Sequence, residues 1–243
     1  MNFFDTAEIY TGGRSERLLG DCRRRDGRKA IIASKYRPSA SRRTKKDFTE
    51  ALDDSLNRLG VETLDLYYVH MPPSAQSIED LMDYMAEALA ADKISSVGVS
   101  NFDADQMRRA AAQLEEHGLK LAANQVEYSL QNREPETNGV LEACKSLGAS
   151  LVAYRPLGRG QLASLEINVG SESETSLENI IKSIAMEHGG SASQVVLRWL
   201  LHRDELVIPI PGATKLDHAV ENAGVLDWVM SEEEFKMLDE ASK

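Results

Sequence analysis

The stretch NFFDTAEIY, residues 2–10, decides how the fold of this sequence is interpreted. An apolar pair, Phe3 and Phe4, runs straight into Asp5, and Tyr10 follows before any helical pattern begins. A half-buried surface strand would alternate apolar and polar residues. The stretch instead predicts a buried strand, residues 2–6, whose end carries a charged side chain.

Similar strands recur along the chain, because short apolar runs alternate with segments of helical periodicity. Six further strands are predicted at residues 30–35, 64–70, 95–100, 122–127, 150–154 and 206–210. Apolar residues recur at helical spacing between them, as in residues 48–59, 78–89 and 140–147. Thr44 is a predicted helix start, and Gly60, Gly118 and Gly148 are predicted helix ends.

Repeated strand–helix units predict a parallel sheet covered by helices. A closed (β/α)8 TIM barrel needs eight units, and seven are visible here, so the pattern predicts such a barrel with its first strand and helix absent from this chain. An open doubly wound sheet is the alternative, but residues 11–15, TGGRS, lack its GxGxxG fingerprint. Residues 158–176 are predicted as a loop. With no linker-like segment, residues 1–243 are predicted to form one α/β domain.

Composition narrows the choice of partners. The chain of 243 residues is 42% hydrophobic and carries a net charge of −11, which argues against nucleic acid and anionic membranes but allows a local basic pocket. We expect no signal peptide and no membrane span, since no apolar run reaches about 18 residues. Cys22 and Cys144 form no CxxC motif and read as small apolar residues on helices, so a reducing cytoplasm is expected. The histidine spacing predicts no metal site.

Ionisable residues follow the first three predicted strands. In a parallel barrel the chemistry lies at the carboxyl ends of the strands, where Asp5, Lys35 and His70 stand, with Tyr10 in the first loop. Taken singly, each has an ordinary explanation as a loop cap, a solvated strand end or a packed core residue. Taken together, they predict proton delivery to a carbonyl group as hydride arrives from a cofactor. A lysine favours phenolate, so a tyrosine, whose pKa is ordinarily about 10, becomes a useful acid.

The chain resembles the aldo-keto reductases over nearly its whole length. The matching stretches, in family order, are NFFDTAEIY, GRSERLLG, IIASK, SLNRLGVETLDLYYVH, ISSVGVSNF, NQVEYS, LVAYRPLGRGQL and VIPIPGATKLDHAVENAG. The resemblance implies a (β/α)8 barrel that reduces aldehydes or ketones with NADPH. It implies that Tyr10 is the general acid, that Lys35 paired with Asp5 supports it, and that His70 orients the substrate carbonyl.

The resemblance also implies a set of cofactor contacts. Ser100, Asn101 and Gln125 fall where the family binds the nicotinamide amide, and Tyr154 falls where a ring stacks on the nicotinamide. The pyrophosphate strap of the family falls on Leu157, Gly158, Arg159 and Gly160. Other positions that are expected to bind the cofactor are Arg155, Pro156, Ile210 and Pro211. The adenosine end falls on Gly212, Ala213, Thr214, Lys215, His218, Glu221 and Asn222. The last group begins a helix, whose N–H groups suit a 2′-phosphate.

Three features depart from the family pattern. The opening hairpin, first strand and first helix are missing, which predicts exposed strand edges. Thr214 and His218, with Lys215 adjacent, stand where a basic residue often contacts the 2′-phosphate, and NADPH is still preferred over NADH. The long C-terminal substrate loop of many members is absent, which predicts an open, tolerant pocket.

Two other classes of function stay open at this point. One is a cofactor-binding but catalytically inactive regulatory or interaction subunit, which the missing first strand favours and the intact tetrad disfavours. The other is a Schiff-base aldolase that uses Lys35, which Asp5 and Tyr10 at family spacing disfavour. The expected partner is a small carbonyl compound, the protein is expected to be a monomer or small homo-oligomer, and the sequence does not name the substrate.

Overall fold

The computed structural model describes residues 2–27, 29–162 and 176–243, so residues 163–175 of the predicted loop lie outside the described residues. The chain divides into two compact units. The first unit comprises Met1–Gln125 and Gly139–Ala149, and the second comprises Val126–Asn138 and Ser150–Lys243. The prediction of a single domain over residues 1–243 stays a prediction.

All seven predicted strands are confirmed, with ends shifted by at most two residues. In the first unit β1 to β5 pair in parallel in chain order, and in the second unit β6 and β7 pair in parallel. The strands are β1 (Phe3–Asp5), β2 (Ile31–Tyr36), β3 (Leu66–Val69), β4 (Val97–Ser100), β5 (Leu121–Glu127, of which the last two residues belong to the second unit), β6 (Ser150–Tyr154) and β7 (Val207–Ile210).

Helices follow the strands in the described part of the chain. They are α1 (Arg14–Asp26), α2 (Lys45–Leu59), α3 (Ile78–Ala90), α4 (Ala104–Glu116), α5 (Glu134–Thr137), α6 (Val140–Leu147), α7 (Leu177–Glu187), α8 (Ala192–Arg203), α9 (Leu216–Ala223) and α10 (Glu232–Ala241). Short 3₁₀ turns occupy Gly158–Gly160 and Gly224–Leu226. The repeated strand–helix order is therefore the one that the apolar pattern predicts.

The helix boundaries follow from capping chemistry. The Thr44 side chain accepts the backbone N–H of Asp47 at 3.3 Å, and the Asp47 carboxylate accepts the backbone N–H of Thr44 at 2.8 Å, which completes a capping box for α2. Gly60 and Gly148 end α2 and α6 in the left-handed conformation. Gly118, with φ of 69°, comes one residue after the C-cap of α4. These four predicted boundaries are confirmed.

Strands β2 and β3 present different chemistry on their two faces, because side chains alternate along a strand. Tyr36 and Tyr67 pack edge-on against Phe48 of α2, with ring centroids at 5.2 Å and 6.0 Å. Lys35 and Tyr68 lie at the alternate positions, and the Lys35 ammonium nitrogen is 5.7 Å from the Tyr68 ring centroid. The face that packs against α2 carries the aromatic rings of Tyr36 and Tyr67, whereas the opposite face carries the ammonium group of Lys35.

In the second unit an ion-pair network holds α10. The Arg133 guanidinium bonds the carboxylates of Glu136 and Asp239 at 2.6 Å and 2.5 Å, and Arg203 of α8 bonds the same two carboxylates at 2.6 Å and 3.0 Å. Arg133 also lies 5.2 Å over the ring of Trp199, which is fully buried. The network therefore joins the C-terminal helix to the core of this unit.

Both cysteines lie on helices, as predicted, but their surroundings differ. Cys144 of α6 is buried, as a small apolar residue would be, whereas Cys22 of α1 is exposed. Cys22 stands between Asp21 and Arg23 on the polar side of α1.

Among the described helices, none is both long and apolar enough to cross a membrane. The residues that the structure describes contain no group of three or more His, Cys, Asp or Glu side chains placed to hold a metal.

Candidate active site

The ammonium group of Lys35 is the centre of a polar cluster in the first unit. Lys35 is fully buried at the end of β2, and its Nζ donates to Asp5 Oδ1 and to the carbonyl oxygen of Thr6, the latter at 2.7 Å. Burial lowers the pKa of Lys35, and the charge of Asp5 opposes that effect. The ion pair expected between the ends of β1 and β2 is therefore present.

The cluster continues into β4 and β5. The Gln125 side chain donates from Nε2 to the second carboxylate oxygen of Asp5 at 2.9 Å. The Ser100 hydroxyl donates to the carbonyl oxygen of Gln125, also at 2.9 Å. Both oxygens of Asp5 are thus engaged, one by a cation and one by an amide. These hydrogen bonds fix the position of the carboxylate.

Tyr10 lies in the loop between β1 and α1, beside the buried ammonium group. The Lys35 Nζ is 5.2 Å from the centroid of the Tyr10 ring, and Tyr10 itself is 39% exposed. The turn that follows has three successive residues with positive φ, namely Thr11, Gly12 and Gly13 at 49°, 62° and 77°. A substrate approaching from solvent can therefore meet a phenol that has a cation on its protein side.

His70 completes the group of four residues. It follows β3, and its ring is edge-on to that of Tyr10 with centroids 5.9 Å apart. The Asn101 side chain donates to the His70 carbonyl oxygen at 3.1 Å. Burial, with smaller contributions from the positive charges of Lys35 and Arg37, lowers the pKa of His70 to about 4. The imidazole is consequently neutral at pH 7 and carries one N–H.

The second unit contains a cavity of about 590 Å³. Ten of the predicted cofactor-binding residues line it: Arg155, Pro156, Leu157, Arg159, Gly160, Gly212, Thr214, His218, Glu221 and Asn222. Ser193 also lines the cavity and was not predicted, because a serine near the start of an amphipathic helix carries no distinguishing signal. Nine predicted residues are not among the lining residues: Ser100, Asn101 and Gln125 of the first unit, and Tyr154, Gly158, Ile210, Pro211, Ala213 and Lys215 of the second.

Charged side chains surround the turn after β6. Arg155 donates to Glu127 Oε2 at 2.9 Å, and the Nε of Arg159 lies 3.9 Å from Glu127 Oε1. Both arginines have left-handed backbones, with φ of 51° and 58°, which costs energy for residues other than glycine. The Arg155 guanidinium is 5.6 Å from the Tyr154 ring centroid, and burial raises the pKa of Tyr154.

The residues around this cavity fit a phosphorylated nucleotide. Arg155 and Arg159 offer positive charge, and Lys215 caps α9 without a side-chain hydrogen bond, so the first N–H groups of the helix can bind an anion. The volume also falls within the range of about 300–1,000 Å³ that is typical of small-molecule sites. A dinucleotide cofactor is therefore compatible with the side chains that are present.

Comparisons with known proteins agree with this geometry. A sequence profile of the Aldo/keto reductase family matches residues 1–243. A protein of Schizosaccharomyces pombe named aldo-keto reductase yakc [NADP(+)] is 32% identical to this chain. The match covers 98% of this chain and 78% of the relative's length.

Two solved structures are similar in fold. A thermostable aldo-keto reductase in complex with the inhibitor epalrestat has a TM-score of 0.84 at 34% identity, covering 98% of this chain and 81% of its own. An aldo/keto reductase from Klebsiella pneumoniae in complex with NADP and acetate has a TM-score of 0.83 at 30% identity, covering 99% and 80%. These similarities confirm the fold class, a (β/α)8 barrel of which this chain supplies seven strand–helix units. The chain belongs to the aldo/keto reductase family and is an NAD(P)H-dependent oxidoreductase that acts on carbonyl compounds.

Proposed function

We propose that this chain reduces aldehydes or ketones to alcohols with NADPH, and that Tyr10 delivers the proton to the carbonyl oxygen. One observation carries the assignment of the acid. The buried ammonium of Lys35, fixed by Asp5, lies 5.2 Å from the Tyr10 ring centroid. A cation held at that position favours the phenolate that remains after proton transfer.

The four residues have separable roles in this mechanism. Tyr10 donates its hydroxyl proton to the carbonyl oxygen, and Lys35 stabilises the resulting negative charge. Asp5, itself held by Gln125 at 2.9 Å, keeps the ammonium group in place. His70, which is neutral because its pKa is lowered to about 4, donates its N–H to the same oxygen and orients the carbonyl. A bound nicotinamide cofactor supplies the hydride.

NADPH is the proposed cofactor, in preference to NADH. The support is that the yeast relative is named for NADP(+) and that the Klebsiella structure contains NADP. Arg155, Arg159 and the N-terminus of α9 would hold its phosphates, and Asn101 would contact the nicotinamide end. The free thiols of Cys22 and Cys144 support a reducing compartment, and we propose the cytoplasm.

The test is to replace Tyr10 with Phe in the full chain. This change removes the hydroxyl group and keeps the ring, so it should lower kcat by at least about 100-fold, the usual contribution of a general acid. NADPH binding, measured by cofactor fluorescence, should be retained. Tyr84→Phe is the matched control, because Tyr84 lies on α3 and packs against Phe48.

The outcomes separate the possible functions. Turnover that survives in Tyr10→Phe would remove Tyr10 from the acid role. Saturable NADPH binding by the unaltered chain, with no turnover of any aldehyde or ketone tried, would favour a cofactor-binding subunit over an active reductase. Loss of turnover in both tyrosine variants would indicate a general structural effect.

A further inference from the structure

Arg37 lies close enough to His70 for its positive charge to lower the pKa of His70, and the proposed mechanism does not use it. It follows β2 directly, two residues after Lys35. The parallel register pairs Tyr36 with Val69, and the backbone N–H of His70 donates to the Tyr36 carbonyl oxygen at 2.8 Å. Arg37 and His70, the residues that follow this pair in the two strands, are therefore neighbours. By strand alternation they share the face that Lys35 occupies.

The backbone of Arg37 is fixed on both sides. Its N–H donates to Glu8 Oε1 at 2.6 Å, and its carbonyl oxygen accepts from Arg42 Nη1 at 3.1 Å. Arg42 in turn binds both carboxylate oxygens of Glu8, at 2.5 Å and 3.0 Å. The Glu8 carboxylate therefore already binds the Arg42 guanidinium and the backbone N–H of Arg37. Its negative charge is balanced by Arg42 and does not neutralise the Arg37 side chain.

The carboxylate of the catalytic cluster itself is also paired. Asp5 is bound by Lys35 and Gln125, and His70 is neutral because its pKa is lowered to about 4. Within residues 2–27, 29–162 and 176–243, the half-buried Arg37 has no carboxylate within ion-pair distance. Lys35 is paired with Asp5, and Arg42 is paired with Glu8. The positive charge of Arg37 is therefore left unbalanced, in a chain whose net charge is −11.

We propose that the Arg37 guanidinium binds a carboxylate group of the substrate, so that the preferred substrates are small aldehydes or ketones that carry one carboxylate. This inference rests on the proposed function. A guanidinium presents a planar fork that matches a carboxylate with two parallel hydrogen bonds. One unbalanced positive charge suits a monoanion better than a phosphate group, which carries nearly two negative charges at pH 7.

The kinetic test compares 4-carboxybenzaldehyde with the neutral 4-methylbenzaldehyde, which has a similar size. For the unaltered protein kcat/KM should be higher for the carboxylate. In Arg37→Gln the ratio of the two kcat/KM values should fall about tenfold, mainly through KM of the carboxylate, as expected for one charged hydrogen-bonded pair. Arg37→Lys should keep part of the ratio, because it keeps the charge. An unchanged ratio in Arg37→Gln would overturn the proposal.

Arg43→Gln is the matched control, because Arg43 is an exposed arginine of the same loop that donates to the Ala40 carbonyl oxygen. It removes an equal charge and should leave the ratio unchanged. An equal fall in both variants would point to long-range electrostatics and would contradict direct binding.

A binding measurement keeps the test independent of turnover. The fluorine NMR signal of 4-fluorobenzoate should broaden with the unaltered protein and with Arg43→Gln, and should broaden much less with Arg37→Gln. If no aldehyde is reduced but this pattern appears, the proposed reaction fails and the anion site stands. If aldehydes are reduced and the broadening is the same in all variants, the reaction stands and the role of Arg37 is excluded.

Discussion

Two ionisable residues of the candidate active site, Lys35 and His70, lose hydration on burial and are accommodated in different ways. Lys35 is fully buried, and His70 is held neutral by burial beside Lys35 and Arg37. Such groups are stable only if partners compensate the lost hydration. Asp5 provides that compensation for Lys35, whereas His70 avoids the cost by remaining uncharged. The two residues should therefore respond differently to pH.

His70 should make the free energy of unfolding fall as the solution is acidified. Its pKa is about 4 in the folded chain and about 6.5 in an unfolded chain, so the unfolded state binds the proton first as pH drops through this window. The free energy of unfolding should decline by about 1 kcal/mol between pH 7 and pH 5. This is less than the pKa difference alone would give, because solvent screens the partly exposed side chain. Urea titrations at the two pH values measure it.

His70→Gln provides the comparison, because glutamine cannot be protonated in this range. The pH dependence of the variant should be shallower than that of the unaltered chain by about the same 1 kcal/mol. Equal pH dependence in the two proteins would show that His70 carries no such linkage.

Single residues also show the limit of prediction from sequence. Asp5, Lys35 and His70 were predictable because each ends a buried strand, and parallel strands bring their carboxyl ends to one edge. The bond from Gln125 to Asp5 joins residues 120 positions apart, and no local pattern encodes such a pairing. The free charge of Arg37 was equally invisible, since it depends on Arg42 binding Glu8.

Three elements of the first unit meet at one buried carboxylate. Glu16 of α1 is completely buried, and its oxygens accept from the Ser34 hydroxyl of β2 and from Arg58 Nε of α2, both at 2.5 Å. The loop that carries Tyr10 leads directly into α1. The position of this carboxylate therefore sets how α1 is attached to the strand that carries Lys35.

Glu16→Gln should destabilise the protein by about 2–3 kcal/mol. The change leaves the Arg58 guanidinium beside a neutral amide, and breaking a buried ion pair from one side is strongly unfavourable. Glu50→Gln on α2 is the matched control, because Glu50 is exposed and lies 3.6 Å from Lys46. It should change stability by less than about 0.5 kcal/mol. Urea unfolding of both variants gives the comparison, and similar values for the two would contradict the anchoring role.

The elements themselves were more predictable than their connections. Buried parallel strands read as apolar runs, and α2 begins at Thr44 because its side chain and Asp47 cap each other. The sequence motif GRSERLLG contains Glu16, but polarity alone places a glutamate on the surface. Its burial becomes apparent only when Ser34 and Arg58 are brought beside it.

At the scale of the whole molecule, we expect the two compact units to fold together. No linker-like segment separates them in the sequence, and the family profile covers residues 1–243. The chain also passes between the units more than once, since Gly139–Ala149 of the first unit lies between two segments of the second. Such interleaving favours one cooperative folding unit, because neither unit is a continuous piece of chain.

The two tryptophans make this cooperativity measurable, because Trp199 and Trp228 both lie in the second unit. Tryptophan fluorescence therefore reports unfolding of that unit, whereas far-ultraviolet circular dichroism reports helices of both. We expect the two urea transitions to coincide, as two-state unfolding of a single domain requires. Saturating NADPH should move both midpoints upward together, because a ligand that binds only the folded state stabilises everything that unfolds with its site. Separate midpoints, or a shift of the fluorescence transition alone, would show that the units fold independently and that the cofactor stabilises only the second.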